Sequence, residues 1–123
     1  MVSALFALRE YFHSRPTTRL VIAGAADVLV GGSAVFQYPT LNDPCVLIRT
    51  SVDAYVAYSR ICTHAGCPVF YQAGDNVLAC PCHGGVFSVA DGSVLQGPPP
   101  RPLPRIRLER RGPDVVATGV IQT

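Results

Sequence analysis

Cys62-Thr63-His64-Ala65-Gly66-Cys67 and Cys80-Pro81-Cys82-His83-Gly84-Gly85 are the two stretches on which the reading of this chain turns. Together they spell C-x-H, a gap of fifteen residues, then C-x-x-H, with one further cysteine inside each stretch. Thiolate and imidazole are the side chains that hold soft and borderline transition metals. Zinc is the commonest meaning of such a cluster and would take Cys62, His64, Cys80 and His83, although its sites usually pair ligands as C-x-x-C and H-x-x-x-H. Two ordinary disulfides among the five cysteines are another reading, and they would leave both histidines without a role.

The same two boxes resemble those of Rieske iron–sulfur proteins, in which histidine replaces cysteine on one iron of a [2Fe–2S] cluster and raises its potential. A third segment, Gly97-Pro98-Pro99-Pro100, is similar to the family's proline loop. The resemblance covers roughly residues 20 to 120 and points to the high-potential branch found in cytochrome bc-type quinol oxidoreductases. It implies that Cys62 and Cys80 hold the inner iron and that His64 and His83 hold the outer iron. It also implies a disulfide between Cys67 and Cys82, a pair that the low-potential Rieske ferredoxins of oxygenase systems lack.

At 123 residues the chain is long enough for one domain with a modest core. The net charge of +2 gives no footprint for nucleic acid or an anionic membrane. All ten basic residues are Arg. Eleven Gly and eleven Pro indicate a turn-rich β protein rather than a helical one. A Cys67–Cys82 bridge would persist most easily in an oxidising space, so the expected location is a periplasm-like compartment or the extracytoplasmic face of a membrane. Cys45, inside the apolar run Pro44-Cys45-Val46-Leu47-Ile48, reads as a buried small hydrophobe. The apolar start, Met1 to Leu8, is far short of the roughly 20 residues a membrane span needs, and with Arg9 and Glu10 following directly it makes a poor signal peptide.

Leu5, Leu8 and Phe12 fall at helical spacing, which predicts a short N-terminal helix over residues 3–14 within an extension spanning 1–19. From there the chain reads as short strands: 20–23, 34–38, 45–50, 54–61, 105–110 and 115–120, with 77–79 and 86–88 flanking the second box. Ile106 and Leu108 alternate with arginines and point inward. The expected fold is all-β: an antiparallel β-sandwich over 20–123 with a small cluster-binding subdomain at about 62–100. Gly66, Gly84 and Gly85 suit loops that need positive φ or close backbone approach.

The resemblance implies one-electron transfer with the two histidines at the protein surface, where reduction is coupled to protonation. Ala65, Gly66, Pro68, Gly84, Gly85 and the prolines would form an uncharged rim for a partner. One departure matters. Quinol-oxidising members carry Ser and Tyr hydroxyls that donate to cluster sulfurs, whereas this chain has Gly85 and Phe87 at those positions. Their absence implies a lowered potential within the family's range of about −150 to +300 mV. The expected function is that of the soluble head of a quinol-oxidising respiratory or photosynthetic chain. The alternative is a Rieske subunit or ferredoxin serving a separate oxidoreductase, such as the small subunit of an arsenite-oxidase-like enzyme or an oxygenase partner. The expected redox partner is a cytochrome b/c-type protein or an oxidoreductase subunit, with quinol as a candidate donor. Ser59, Thr63 and Ser88 read as strand and loop residues, and no independent substrate chemistry is expected.

Overall fold

In the computed structural model, residues 18–122 are described. The helix read over 3–14, and all of the 1–19 extension except Thr18 and Arg19, lie outside the described residues. Ten strands build two antiparallel sheets. The larger holds β1 (Leu20–Val21), β2 (Ser33–Gln37), β3 (Pro44–Ser51), β4 (Ala54–Ser59), β9 (Arg105–Arg111) and β10 (Asp114–Ile121), in the order β1-β10-β9-β4-β3-β2. The smaller is a meander of β5 (Phe70–Gln72), β6 (Val77–Cys80), β7 (Gly85–Ser88) and β8 (Val94–Gln96). The all-β expectation holds.

β3 shows why its sequence is continuously apolar rather than alternating. Cys45 and Leu47 face one hydrophobic cluster while Val46 and Ile48 face another, and a strand buried on both faces reads as an unbroken run. The first cluster gathers Phe36, Cys45, Leu47, Ala57, Ile106, Val115 and Ala117 from five strands of the larger sheet. That sheet therefore curls around its own face, and its two edges, β1 and β2, line a common groove with Val21 and Val35. The second cluster joins the sheets: Val46, Ile48, Val56 and Tyr58 pack on Leu78, Phe87 and Val89, together with Cys62 and Cys80. Burying a side chain such as Leu78 or Phe87, both 0 % exposed, stabilises by about 1.5–3 kcal/mol. The core beneath the two boxes is thus the seam between the sheets.

The Tyr58 hydroxyl crosses that seam and donates to the Val89 carbonyl at 2.8 Å. Burial pushes its ionisation above the usual tyrosine value. Gly92, at φ 77°, passes so close that a Cβ there would lie 2.9 Å from the Tyr58 ring. Cys45 is 1 % exposed and its thiol donates to the Tyr38 carbonyl at 3.3 Å. Burial pushes its ionisation up to about 12, so it is the inert apolar filler expected of it.

The strand readings need trimming at their ends. β1 stops at Val21 and β4 at Ser59, while β3 and β10 run slightly longer than read. β5 and the short 3-10 turn Ala25–Asp27 had no counterpart in the sequence reading. Phe70-Tyr71-Gln72 is too short for periodicity to declare itself.

Candidate metal centre

Both boxes sit on hairpin-like loops that emerge from the same end of the smaller sheet. The first is closed at its base by an antiparallel bridge between Ile61 and Pro68. Inside it the Cys62 amide donates to the Cys67 carbonyl at 2.8 Å, and the Gly66 amide donates back to the Cys62 carbonyl at 3.1 Å. The second is the turn joining β6 to β7, where Cys80 pairs with Gly85 in the last rung of the ladder. Gly66 and Gly84 take φ of 72° and 73°, the left-handed region that a side chain disfavours. Those two glycines let each loop reverse just after its histidine.

The described residues contain one disulfide, Cys67–Cys82, with Cα atoms 6.4 Å apart, and it fastens loop to loop. Cys45, Cys62 and Cys80 remain free thiols, which removes the two-disulfide reading. Cys62 and Cys80 are 4 % and 3 % exposed, whereas His64 and His83 are exposed. The two imidazole rings stand edge-on with centroids 4.8 Å apart. The sulfur of Cys80 lies within 4.8 Å of both disulfide sulfurs, and of those three cysteines only Cys80 is free. The arrangement thus grades from buried thiols at the core seam to solvent-facing imidazoles.

The proline segment is packed rather than a mere connector. Pro99 is buried, and a Cβ on Gly85 would lie 2.8 Å from Pro99 Cγ. Gly97, at φ 90°, lies so close to the second box that a Cβ there would sit 2.9 Å from the Gly84 carbonyl oxygen. The Thr63 hydroxyl donates to the Arg101 carbonyl at 2.7 Å and ties this segment to the first box as well. No sequence signal marked that latch.

One expectation is sharpened and one corrected. Gly66 and Gly84 take positive φ, and Gly85 does not. Its need for glycine is the close approach of Pro99. The apolar rim also shrinks: Gly85 and Pro99 are buried against each other, leaving Ala65, Gly66, Pro68, Gly84, Pro98 and Pro100 exposed. Phe87 lies in the core seam at 0 % exposure beside Cys62 and Cys80.

The model of the Rieske [2Fe-2S] domain matches residues 18–107. The chain belongs to the Rieske family. Among relatives of this Rieske chain, the cytochrome b6-f complex iron-sulfur subunit of Chlorobaculum tepidum is 34% identical over 90 residues, covering 73% of this chain and 48% of that protein. The subunit of the same name from Chlorobaculum thiosulfatiphilum is 33% identical over 120 residues, covering 94% of this chain and 64% of that one. The chain thus spans about half to two thirds of those relatives. The crystal structure of the plasma membrane Rieske protein PetC3 from Synechocystis superposes with a TM-score of 0.66 at 26% identity, covering 84% of this chain and all of that one.

The cofactor of such a domain is a [2Fe–2S] cluster, and the donor chemistry here fits it. Two free thiols and two imidazoles stand on loops fastened by a disulfide, and a glycine–proline wall closes one side. Zinc would accept the same donors, so the fit rests on the whole frame and the family match together. No helix among the described residues is long and apolar enough to cross a membrane.

Proposed function

We propose that this chain is a one-electron carrier, the cluster-bearing head of a quinol-oxidising electron-transport chain. Cys62 and Cys80 hold the inner iron, and His64 and His83 hold the outer one. The single observation that carries this reading is the pairing of two buried free thiols with two exposed, mutually edge-on imidazoles across a disulfide-fastened pair of loops. When bound, the cluster supplies reversible one-electron transfer at a potential raised by its imidazole ligands.

The chain's own residues supply the rest. Burial of Cys62 and Cys80 in the seam between the sheets keeps water from the sulfur side. His64 and His83 face solvent, so an electron donor or acceptor reaches the centre through them. The Cys67–Cys82 bridge, the Thr63–Arg101 hydrogen bond and the Gly85–Pro99 contact fix the loops before any partner arrives. A fixed frame lowers the reorganisation that accompanies each change of redox state. The disulfide supports an oxidising location, the extracytoplasmic side of a membrane.

Gly85 and Phe87 favour a second reading. Neither carries a hydroxyl, so the potential falls below that of relatives with donors to sulfur. A lower potential fits a low-potential quinol, or a carrier serving a separate oxidoreductase. Co-purification separates the two: a cytochrome b partner supports quinol oxidation, and a large catalytic subunit with no cytochrome b supports the other. The cluster itself is tested by metal analysis and EPR of the reduced protein, where one zinc per chain and no signal would remove both readings.

A further inference from the structure

Topology sorts the charges of the cluster-binding subdomain. β5 to β8 form an antiparallel meander, so successive connections alternate between its two ends. The first box, the second box and the segment from Gly97 onward leave one end, while the β5–β6 turn at 73–76 and the β7–β8 turn at 89–93 lie at the other. The far turns carry Asp75 and Asp91 and no basic residue. The cluster end carries Arg60, at the base of the first box, and Arg101, whose carbonyl is held by Thr63, with no carboxylate in 60–70, 80–86 or 97–101. Beyond Arg101 the chain runs back, and the Leu103 amide donates to the Gly92 carbonyl beside Asp91.

Those two arginines are not neutralised locally. Both ion pairs among the described residues use Glu109, with Arg19 and Arg111. Arg60 is held over the Phe70 ring, its guanidinium carbon 5.0 Å from the ring centroid, while its Nε donates to the Val69 carbonyl. Asp43, adjacent to the Pro44 whose carbonyl receives the Arg60 amide, directs its carboxylate to the Thr40 amide and hydroxyl. Arg101 is exposed. The tip therefore exposes Ala65, Gly84 and Pro100 beside the two imidazoles, and the charged residues of the segments around them are Arg60 and Arg101.

We propose that this end docks an electron-transfer protein whose contact face has an apolar centre rimmed by Asp and Glu carboxylates, and that Arg101 steers the encounter. The inference rests on the electron-carrier reading above. An apolar centre is desolvated readily on contact, and flanking charge of opposite sign raises the association rate and fixes orientation.

The test uses reduced holoprotein and small oxidants as charge probes. Ferricyanide takes one electron from the protein and becomes ferrocyanide, and tris(phenanthroline)cobalt(III) is the cationic counterpart. Arg101→Gln and Arg111→Gln make the same change in net charge, but Arg111 lies at the far end of β9. At about 10 mM ionic strength, Arg101→Gln slows ferricyanide oxidation about fivefold and speeds the cationic oxidant, and the difference falls within about twofold at 0.5 M salt. Arg111→Gln stays within about twofold throughout. Equilibrium dialysis of redox-inert hexacyanocobaltate(III) against oxidised holoprotein gives a readout free of electron transfer, with binding weakened by Arg101→Gln and not by Arg111→Gln. Equal effects of the two variants, or none from Arg101→Gln, overturn the docking proposal and leave the carrier reading standing. A purified protein without a [2Fe–2S] spectrum overturns both.

Discussion

Gly85→Ser supplies the hydroxyl that the family resemblance implies at that position, and the structure sets the terms on which it acts. A Cβ at position 85 lies 2.8 Å from Pro99 Cγ, 3.3 Å from Pro99 Cδ and 3.6 Å from Cys80 Cβ. The first of these distances is shorter than carbon atoms tolerate, and the proline ring cannot rotate away. Pro99 must shift, and overpacking of this kind costs about 1–3 kcal/mol. Removing the ring with Pro99→Ala vacates the space, so the two substitutions couple: Gly85→Ser destabilises much less in the Pro99→Ala background than alone. A hydroxyl donor to sulfur is worth more in the reduced, more negative state. A difference of about 1.4 kcal/mol corresponds to about 59 mV for one electron. Protein-film voltammetry and thermal unfolding of the wild type, both single variants and the double variant measure both effects. The double variant has a midpoint about 60 mV above Pro99→Ala alone, and Gly85→Ser alone is the least stable relative to its own background. A Gly85→Ser variant as stable as wild type refutes the packing argument, and a double variant with no rise in midpoint refutes the tuning argument.

The Cys67–Cys82 bridge closes a loop with a sequence separation of 15, for which chain entropy gives about 3 kcal/mol. Cys67→Ser/Cys82→Ser therefore lowers the melting temperature of the apoprotein by about 10–15 °C, and a shift under 3 °C contradicts this. Alkaline stability follows from Cys45, Tyr38 and Tyr58, whose ionisation burial pushes upward, for Cys45 to about 12. Raised acids favour the folded state fully below their unfolded values of 9.0 and 10.0, and that stability is lost as pH rises toward the folded values. Urea unfolding shows the free energy falling from about pH 9 upward, with about 2–3 kcal/mol of the loss between pH 9 and 11 assigned to Cys45. Cys45→Ala flattens that slope, and parallel slopes for the variant and wild type contradict the assignment.

The parts legible in the sequence are those where local chemistry leaves no choice. Metal-type side chains at close spacing announced both boxes, and strict alternation at Ile106 and Leu108 announced β9 with its inward face. The unbroken run at β3 was legible as a strand, but its burial on two faces belongs to the curling of the larger sheet. What could not be read there depends on contacts between segments distant in sequence. Gly85 is glycine because Pro99, fourteen positions later, occupies the place of its Cβ. Thr63 holds the proline segment through a carbonyl 38 residues away. The sorting of Arg60 and Arg101 from Asp75 and Asp91 appears only once the meander assigns each connection to an end. β5, three residues long, left no periodic trace.

We propose that Cys62, His64, Cys80 and His83 hold a [2Fe–2S] cluster. EPR of the dithionite-reduced protein, with iron and acid-labile sulfide analysis on the same sample, tests it most directly. Wild type gives two irons and two sulfides per chain and a rhombic signal whose average g lies below that of an all-cysteine cluster. His64→Ala and His83→Ala lose that signal, while Cys45→Ala keeps it. An EPR-silent protein holding zinc, or a signal that survives in either histidine variant, would contradict the account.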